Sequence, residues 1–473
     1  MAIIIPANSA ADTAYEVANS CRFNDNDSAY MAKDTSDAGT DQRRTWTFST
    51  WFKIGNPGLE SVIFCSTATP ASDHLYIRLK SDGTMRFLDL QGGSNVCNLV
   101  TNRKFRDVGA WYHLVIRADT TQSTASDRLR IYINGGDQET FGTEDTFDED
   151  QVTNTGLASG EYFIGVNQVE TGAFWDGYLA ETYFCSGQSY APTQFGEFNS
   201  DSPTIWQPID ASGSTFGTNG FYLDYEASDN LGNDANGGTD FTETNLAATD
   251  QTTDTPTNNF CTLNSLDNYY ASYTFSEGNC KIDGTPSPTT YRTGTMGVAS
   301  GKWYWEVNIT AAPASNASRI GFTSVVSTST THILGSDIYG WAQNGNNGNI
   351  EGQASQSGSA ASTSYGNSHT TDDIIGIALN LEDDEVKFYK NGTVENSGTA
   401  FQINKANAPN GFFFPAIGEA STSNSITAIA NFGNPAWALS SAVNDENGYG
   451  NFEYSVPSGF LALCTKNLGS DGG

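Results

Sequence analysis

The chain has 473 residues, with 22 Lys+Arg against 54 Asp+Glu and a formal net charge of −32. Phosphate contacts need clustered cations, so this balance argues against nucleic acid as a partner. No run approaches the roughly 20 apolar residues that span a bilayer, so no membrane insertion is expected.

From the N-terminus, MAIIIPANSA lacks the basic start and long apolar stretch of a signal peptide. Residues 1–200 then show period-2 alternation broken by turn residues, the pattern of an antiparallel sheet wet on one face. In WTFSTWFKI, Trp46, Phe48, Thr50, Phe52 and Ile54 share one side, and Trp51 points the other way, to a rim, a partner subunit or the following connector. LYIRLKSDGTMRFLDL carries Asp82-Gly83 between two alternating arms, a strong hairpin signal. Leu129, Ile131 and Ile133 alternate with Arg128, Arg130 and Tyr132 up to Asn134-Gly135.

Residues 201–290 read differently. Of the 22 basic residues only Lys281 and Arg292 fall between 201 and 300, and the run from Gly217 is rich in Gly, Asn, Asp and Thr. This segment is expected to be an acidic, mostly irregular connector with a few short strands. Alternation resumes after it: Trp303, Trp305, Val307 and Ile309 oppose Lys302, Tyr304, Glu306 and Asn308, and IIGIALNLEDDEVKFYKNGT reads as strand, acidic turn, strand and a turn at Asn391-Gly392. The expected fold is all-β: two antiparallel, jelly-roll-like β-sandwich domains, 1–200 and 291–473 with a C-terminal tail, joined by the connector.

Seven Cys (Cys21, Cys65, Cys97, Cys185, Cys261, Cys280, Cys464) form no CxxC pair, and most are expected as reduced core residues. The four His (His74, His113, His332, His369) have no metal-ligand spacing. No E-x-D-x-E strand, G-x-S-x-G elbow or P-loop occurs, and the acid runs from Glu144 and Glu382 are expected in solvated turns, so no enzyme activity is expected. Calcium takes six to eight oxygens at irregular spacing, and LDYEASDNLGNDANGGTD offers Asp224, Asp229, Asp234 and Asp240 with Asn230 and Asn233 as a Ca2+ site; Asn/Asp/Gly turns also form without an ion. Sugar recognition stacks an aromatic face and fixes hydroxyls with amides. Tyr339, Trp341, Gln343 and Asn344, in YGWAQNGNNGN, supply both and are the expected ligand-binding residues, with core packing the competing role for Trp341.

The runs WTFSTWFKI, WYHLVIRAD, DRLRIYINGG, FIGVN and FWDGYLAETYF resemble, in order, the laminin-G/concanavalin A-like family over most of residues 1–200; Tyr178-Leu179-Ala180-Glu181 departs from that family's closing Ile-Asp-Glu. GKWYWEVNI, RIGFTS, YGWAQNG, DIIGIALNLEDDEVKFYKNGT, FFFPAIG and ITAIANFG resemble the SPRY family over about 300–435. Together with IPANSA, DTPTNNF and VPSGFLALCTKNL, the combination resembles virion-associated proteins of marine bacteriophages. That resemblance implies a tail fibre or surface appendage of the virion that attaches to a host cell-surface glycan or protein, contacts other virion subunits and assembles as a homotrimer. A capsid or tail decoration protein and a glycan depolymerase are the alternatives.

Overall fold

The computed structural model describes residues 15–69, 71–167, 173–268, 273–284, 289–353, 359–421, 423 and 425–471; the apolar triplet Ile3–Ile5 lies outside them. The chain divides into two compact units, with the break between Thr257 and Asn258.

The unit Asp12–Thr257 is two facing antiparallel sheets. One runs Gln251–Thr252, Ser20–Phe23, Gly177–Ser186, Thr45–Ile54, Trp111–Asp119, Leu129–Ile133, with Phe221–Leu223 also paired to Gly177–Ser186. The other runs Phe141–Asp145, Ser94–Lys104, Thr84–Gln91, Asp73–Leu79, Ser61–Thr69, Gly160–Ile164, Tyr30–Thr35, Thr242–Thr244. Trp46, Phe48, Phe52 and Ile54 meet Phe64, Leu75, Ile77 and Phe87 of the facing sheet in one buried core. The Asp82-Gly83 signal forms its hairpin, with Gly83 at φ +84°.

Alternation predicts one wet face, yet the outer face of Thr45–Ile54 is also covered. Trp51 stacks on His113 at 4.6 Å, and Trp206 closes over His113 at 6.0 Å. Tyr183, Phe195, Phe216 and Tyr222 form a second outer cluster. Of these covering residues, Trp206, Phe216 and Tyr222 come from the segment expected to be a connector, and this corrects that expectation. Asp234 takes the Lys33 ammonium at 3.2 Å, and Asp254 takes that of Lys53 at 2.7 Å, with both Lys53 and Asp254 fully buried. Residues 201–257 are therefore structural members of the first unit. Their strands are two or three residues long, too short for a legible period.

The second unit takes the rest of that segment: Tyr273–Ser276 and Lys281–Gly284 open a sheet that continues Thr427–Asn431, Lys302–Ala311, Ile374–Asn380, Glu385–Lys390, Thr393–Val394. The facing sheet runs Tyr291–Thr293, Phe414–Glu419, Ser318–Thr323, Gly340–Asn344, Ile350–Gly352, Ala361–Thr363. Trp303, Trp305, Val307 and Ile309 point into the core with Ile377, Leu379 and Phe322. Asn391 and Gly392, at φ +49° and +76°, turn the chain as that dipeptide requires. On the outer face, Glu306 accepts the backbone N–H groups of Glu453 (2.9 Å) and Tyr454 (3.0 Å), which staples the C-terminal tail to the sheet.

All seven Cys are buried and none forms a disulfide. The acid run from Glu144 departs from its expected place: Glu144 and Asp145 sit on the exposed edge strand Phe141–Asp145. Glu382 and Asp383 do lie in an exposed turn.

Candidate functional site

The second unit carries a pocket of about 210 Å³ at one end of its six-stranded sheet. It opens where Ser318–Thr323 leaves the sheet and Phe414–Glu419 enters it. Gly294 and Thr295 line it from the end of Tyr291–Thr293; Gly294 donates its N–H to the Pro415 carbonyl at 2.8 Å. A Cβ on Gly294 would fall 2.9 Å from the Cys261 sulfur, so only Gly leaves the site this shape. Similarly, a Cβ on Gly297 would lie 2.6 Å from the Phe414 ring. Phe414 is half-buried and, with Val325 and Val326, gives the pocket an apolar wall.

The rim is polar and uncharged: Asn264, Thr328 and Asn410. Asn264 accepts the Leu266 N–H at 3.1 Å through Oδ1. Asn410 is exposed, with no side-chain hydrogen bond among the described residues. The wall from Ser324 to Thr328 is held in place from behind. Ser324 donates to the Tyr339 carbonyl at 3.1 Å, Tyr291 donates to the Val325 carbonyl at 3.2 Å, and His332 accepts the Thr328 N–H at 3.1 Å while pairing with Asp337 at 2.7 Å. Asp267 sits behind Thr293, accepting its hydroxyl at 2.8 Å; burial pushes this carboxyl above its usual range. The site is a cup with one aromatic residue, Phe414, in its apolar wall and two amides, Asn264 and Asn410, at its edge.

Of the four residues expected to bind ligand, none lines this pocket. Trp341 is fully buried, stacked on Phe322 at 5.5 Å, with its indole N–H given to the Gln353 carbonyl at 2.9 Å. Gln343 is likewise buried and bonds Glu395. Asn344 is spent between Arg319 (2.7 Å) and Glu351 (2.9 Å). Tyr339 is half-buried and serves the pocket through its carbonyl. Strand alternation puts Trp341 and Gln343 on the core side of Gly340–Asn344, a placement that composition does not reveal.

The four aspartates expected to hold Ca2+ are likewise not assembled around one point. Asp234 is buried on Lys33 and accepts the Tyr222 N–H at 3.0 Å. Asp240 accepts the Asp234 N–H (3.0 Å) and the Asn230 amide (2.9 Å), bonds that hold its carboxyl below the usual range. Asp224 accepts the Glu226 N–H at 3.0 Å, and Asp229 is exposed. Among the described residues no group of three or more His, Cys, Asp or Glu is placed to hold a metal ion.

Two Ser–His pairs have the spacing of a nucleophile and its base, and both are sealed. Ser49 Oγ lies 2.9 Å from His113 Nε2, but His113 Nδ1 accepts the Trp206 indole N–H at 2.9 Å. The ring proton is thereby fixed on Nε2, where it donates to Ser49 and cannot accept its proton. Burial pushes His113 down to about 3. Ser318 and His369, 2.9 Å apart, are equally buried, and His369 is pushed down to about 4.

Residues 25–187 match the model of the Concanavalin A-like lectin/glucanases superfamily, and residues 302–433 match that of the SPRY domain. A lectin-like segment and a SPRY segment thus stand in one chain. No curated protein matches the chain. Among solved structures, the SPRY domain of human HERC1 is 16% identical, covering 32% of this chain and 86% of its own, with a TM-score of 0.24. The native heptameric SAP-like pentraxin from Limulus polyphemus is 18% identical, with coverage of 38% and 80% and a TM-score of 0.27. The TRIM65 PSpry domain is 14% identical, with coverage of 36% and 91% and a TM-score of 0.26.

Proposed function

We propose that this chain is a non-enzymatic binding protein that attaches to a cell-surface glycan or protein. The observation that carries this reading is the preformed, uncharged pocket walled by Phe414, Val325 and Val326 and edged by Asn264, Thr328 and Asn410. The match of residues 25–187 to a lectin superfamily and of residues 302–433 to SPRY supports a role in recognition. The absence of catalysis is supported by the tautomer that Trp206 imposes on His113 and by the burial of both Ser–His pairs.

The finer reading is a bacteriophage tail fibre or similar virion appendage, assembled as a homotrimer with other virion subunits. It rests on the sequence resemblance to marine phage virion proteins. The charge of −32 fits a β-rich protein that must not pair edge to edge with its neighbours.

Binding of the labelled full chain to candidate host cells, before and after stripping of surface polysaccharide and with or without chelator, tests the reading. Saturable binding that stripping abolishes is the expected result. Absence of saturable binding to every host refutes it, and loss of binding with chelator restores a cation to the account.

A further inference from the structure

Resting on the reading of the chain as a binding protein, we infer that its sugar site is the Phe414 pocket of the second unit, the half that matches SPRY, and that the ligand is a single neutral pyranose ring. The lectin-like half is where its family match would direct the search. One hollow there, about 390 Å³, is lined by Lys33, Asp34, Ser36, Asn219, Asn236 and Thr239 among others, with no aromatic side chain; another, about 340 Å³, sets Phe141 beside Gln138, Glu139 and Glu144. A pyranose presents an apolar face of C–H groups and an equatorial ring of hydroxyls, so it needs one flat apolar wall and several amide or hydroxyl partners. The first of these hollows has only the polar partners, and the second sets its one ring beside two carboxylates.

The Phe414 pocket has both. Phe414 packs on Gly297, where a Cβ would fall 2.6 Å from its ring, and Val325 and Val326 extend the apolar wall. Asn264 retains amide donors and the Asn410 carboxamide is uncommitted within the chain. The volume of about 210 Å³ lies below the ~300 Å³ where drug-sized sites begin, so the pocket accepts one ring and leaves the rest of a glycan outside.

Charge selects among sugars. No lining side chain is ionised, so a uronate or sialate carboxylate would enter without a cation to pair with, and would do so against a chain of −32. An aminosugar cation would find no carboxylate. Neutral hexoses and their N-acetyl derivatives remain.

The test is saturation-transfer NMR on the full chain with methyl glucoside, methyl mannoside, methyl galactoside and N-acetylglucosamine, and with glucuronate and sialic acid as charged probes. At least one neutral probe is expected to bind, with ring C–H protons receiving the strongest transfer, and the charged probes are expected to bind at least tenfold more weakly. Phe414→Leu keeps the apolar volume and removes the ring; Asn410→Ala removes an exposed amide that holds nothing in the fold. Each is expected to weaken the neutral probe at least tenfold at unchanged Tm. The inference is overturned if no neutral probe binds, if charged probes bind as well, or if both variants bind as the parent does. If host cells are still bound saturably by Phe414→Leu and Asn410→Ala, the binding-protein reading stands while this site falls.

Discussion

Asp254→Ala removes the carboxylate from an ion pair in which neither side chain reaches solvent. The Lys53 ammonium lies 2.7 Å from Asp254 Oδ2, and the Trp111 indole donates to Oδ1 at 3.0 Å. Without the carboxylate, the buried Lys53 ammonium loses the Asp254 charge beside it and the Trp111 indole N–H loses this acceptor. Breaking a buried pair from one side costs about 3–5 kcal/mol. The indole bond alone is worth about 1.5–3 kcal/mol, but the two losses overlap and do not add. The expected cost is therefore about 4 kcal/mol, confined to the first unit. Asp229→Ala, in the same acidic stretch but exposed, should cost less than about 0.5 kcal/mol. The joint replacement Lys53→Met with Asp254→Leu should recover most of the loss, because an apolar pair of similar volume needs no desolvation. Urea denaturation of the full chain, with hydrogen exchange to assign the transition to residues 12–257, measures all three. A loss below about 1 kcal/mol for Asp254→Ala would show that residues 201–257 are a loose connector after all.

Burial pushes Asp89, Glu181, Glu306 and Glu419 up to about 7. The folded chain therefore keeps protons that the unfolded chain gives up near pH 4, so stability is fullest below about pH 4.5 and falls as pH rises through 7. For Glu181 alone the change is about 3 kcal/mol. Calorimetry from pH 5 to 8 should show Tm falling, with a shallower slope in Glu181→Gln; a rising Tm contradicts the assignment. Ellman's reagent should find almost no reactive thiol in the native protein and seven after unfolding, since every Cys is buried. Trp341→Ala should destabilise the second unit by about 3–5 kcal/mol in denaturant, as loss of a core ring does.

Much of the fold was legible because its main strands are long enough to carry a period. Thr45–Ile54, Leu129–Ile133, Lys302–Ala311 and the Asn391-Gly392 turn stand where alternation and turn chemistry put them. The SPRY resemblance read at about 300–435 corresponds to a match at 302–433. What failed was the middle. Pattern cannot separate an Asp that caps a solvated turn from one that neutralises a buried Lys: Asp229 and Asp234 are five residues apart in one acidic run, the first exposed, the second sealed on Lys33. Trp51 was legible as outward-facing, and of the covers open to it the connector residue Trp206 is the one found, through His113.

The candidate site was hidden for a related reason. Aromatic and amide residues adjacent in sequence, as in YGWAQN, alternate across a strand, so Trp341 and Gln343 went inward together. The pocket described above draws Asn264, Val325, Asn410 and Phe414 from separate stretches of the chain. Its one local signal was Asn410-Gly411 before Phe412-Phe413-Phe414, a turn against three aromatics, of which the structure leaves Phe412 and Phe414 half-buried and seals Phe413.

The strand order of the first unit also sets a timetable for synthesis. Ser20–Phe23 and Tyr30–Thr35 each gain one neighbour from residues 160–186, but their outer edges wait for Gln251–Thr252 and Thr242–Thr244. From Ser186 to Thr252, at about 5–20 residues per second, a ribosome takes roughly 3–13 s. Through that interval the nascent chain carries two open β-edges, the surfaces on which neighbouring chains on a polysome would pair. The late, acidic residues 201–257 thus do more than cover a sheet: they close it against other copies, and a chain released at residue 200 should aggregate rather than fold.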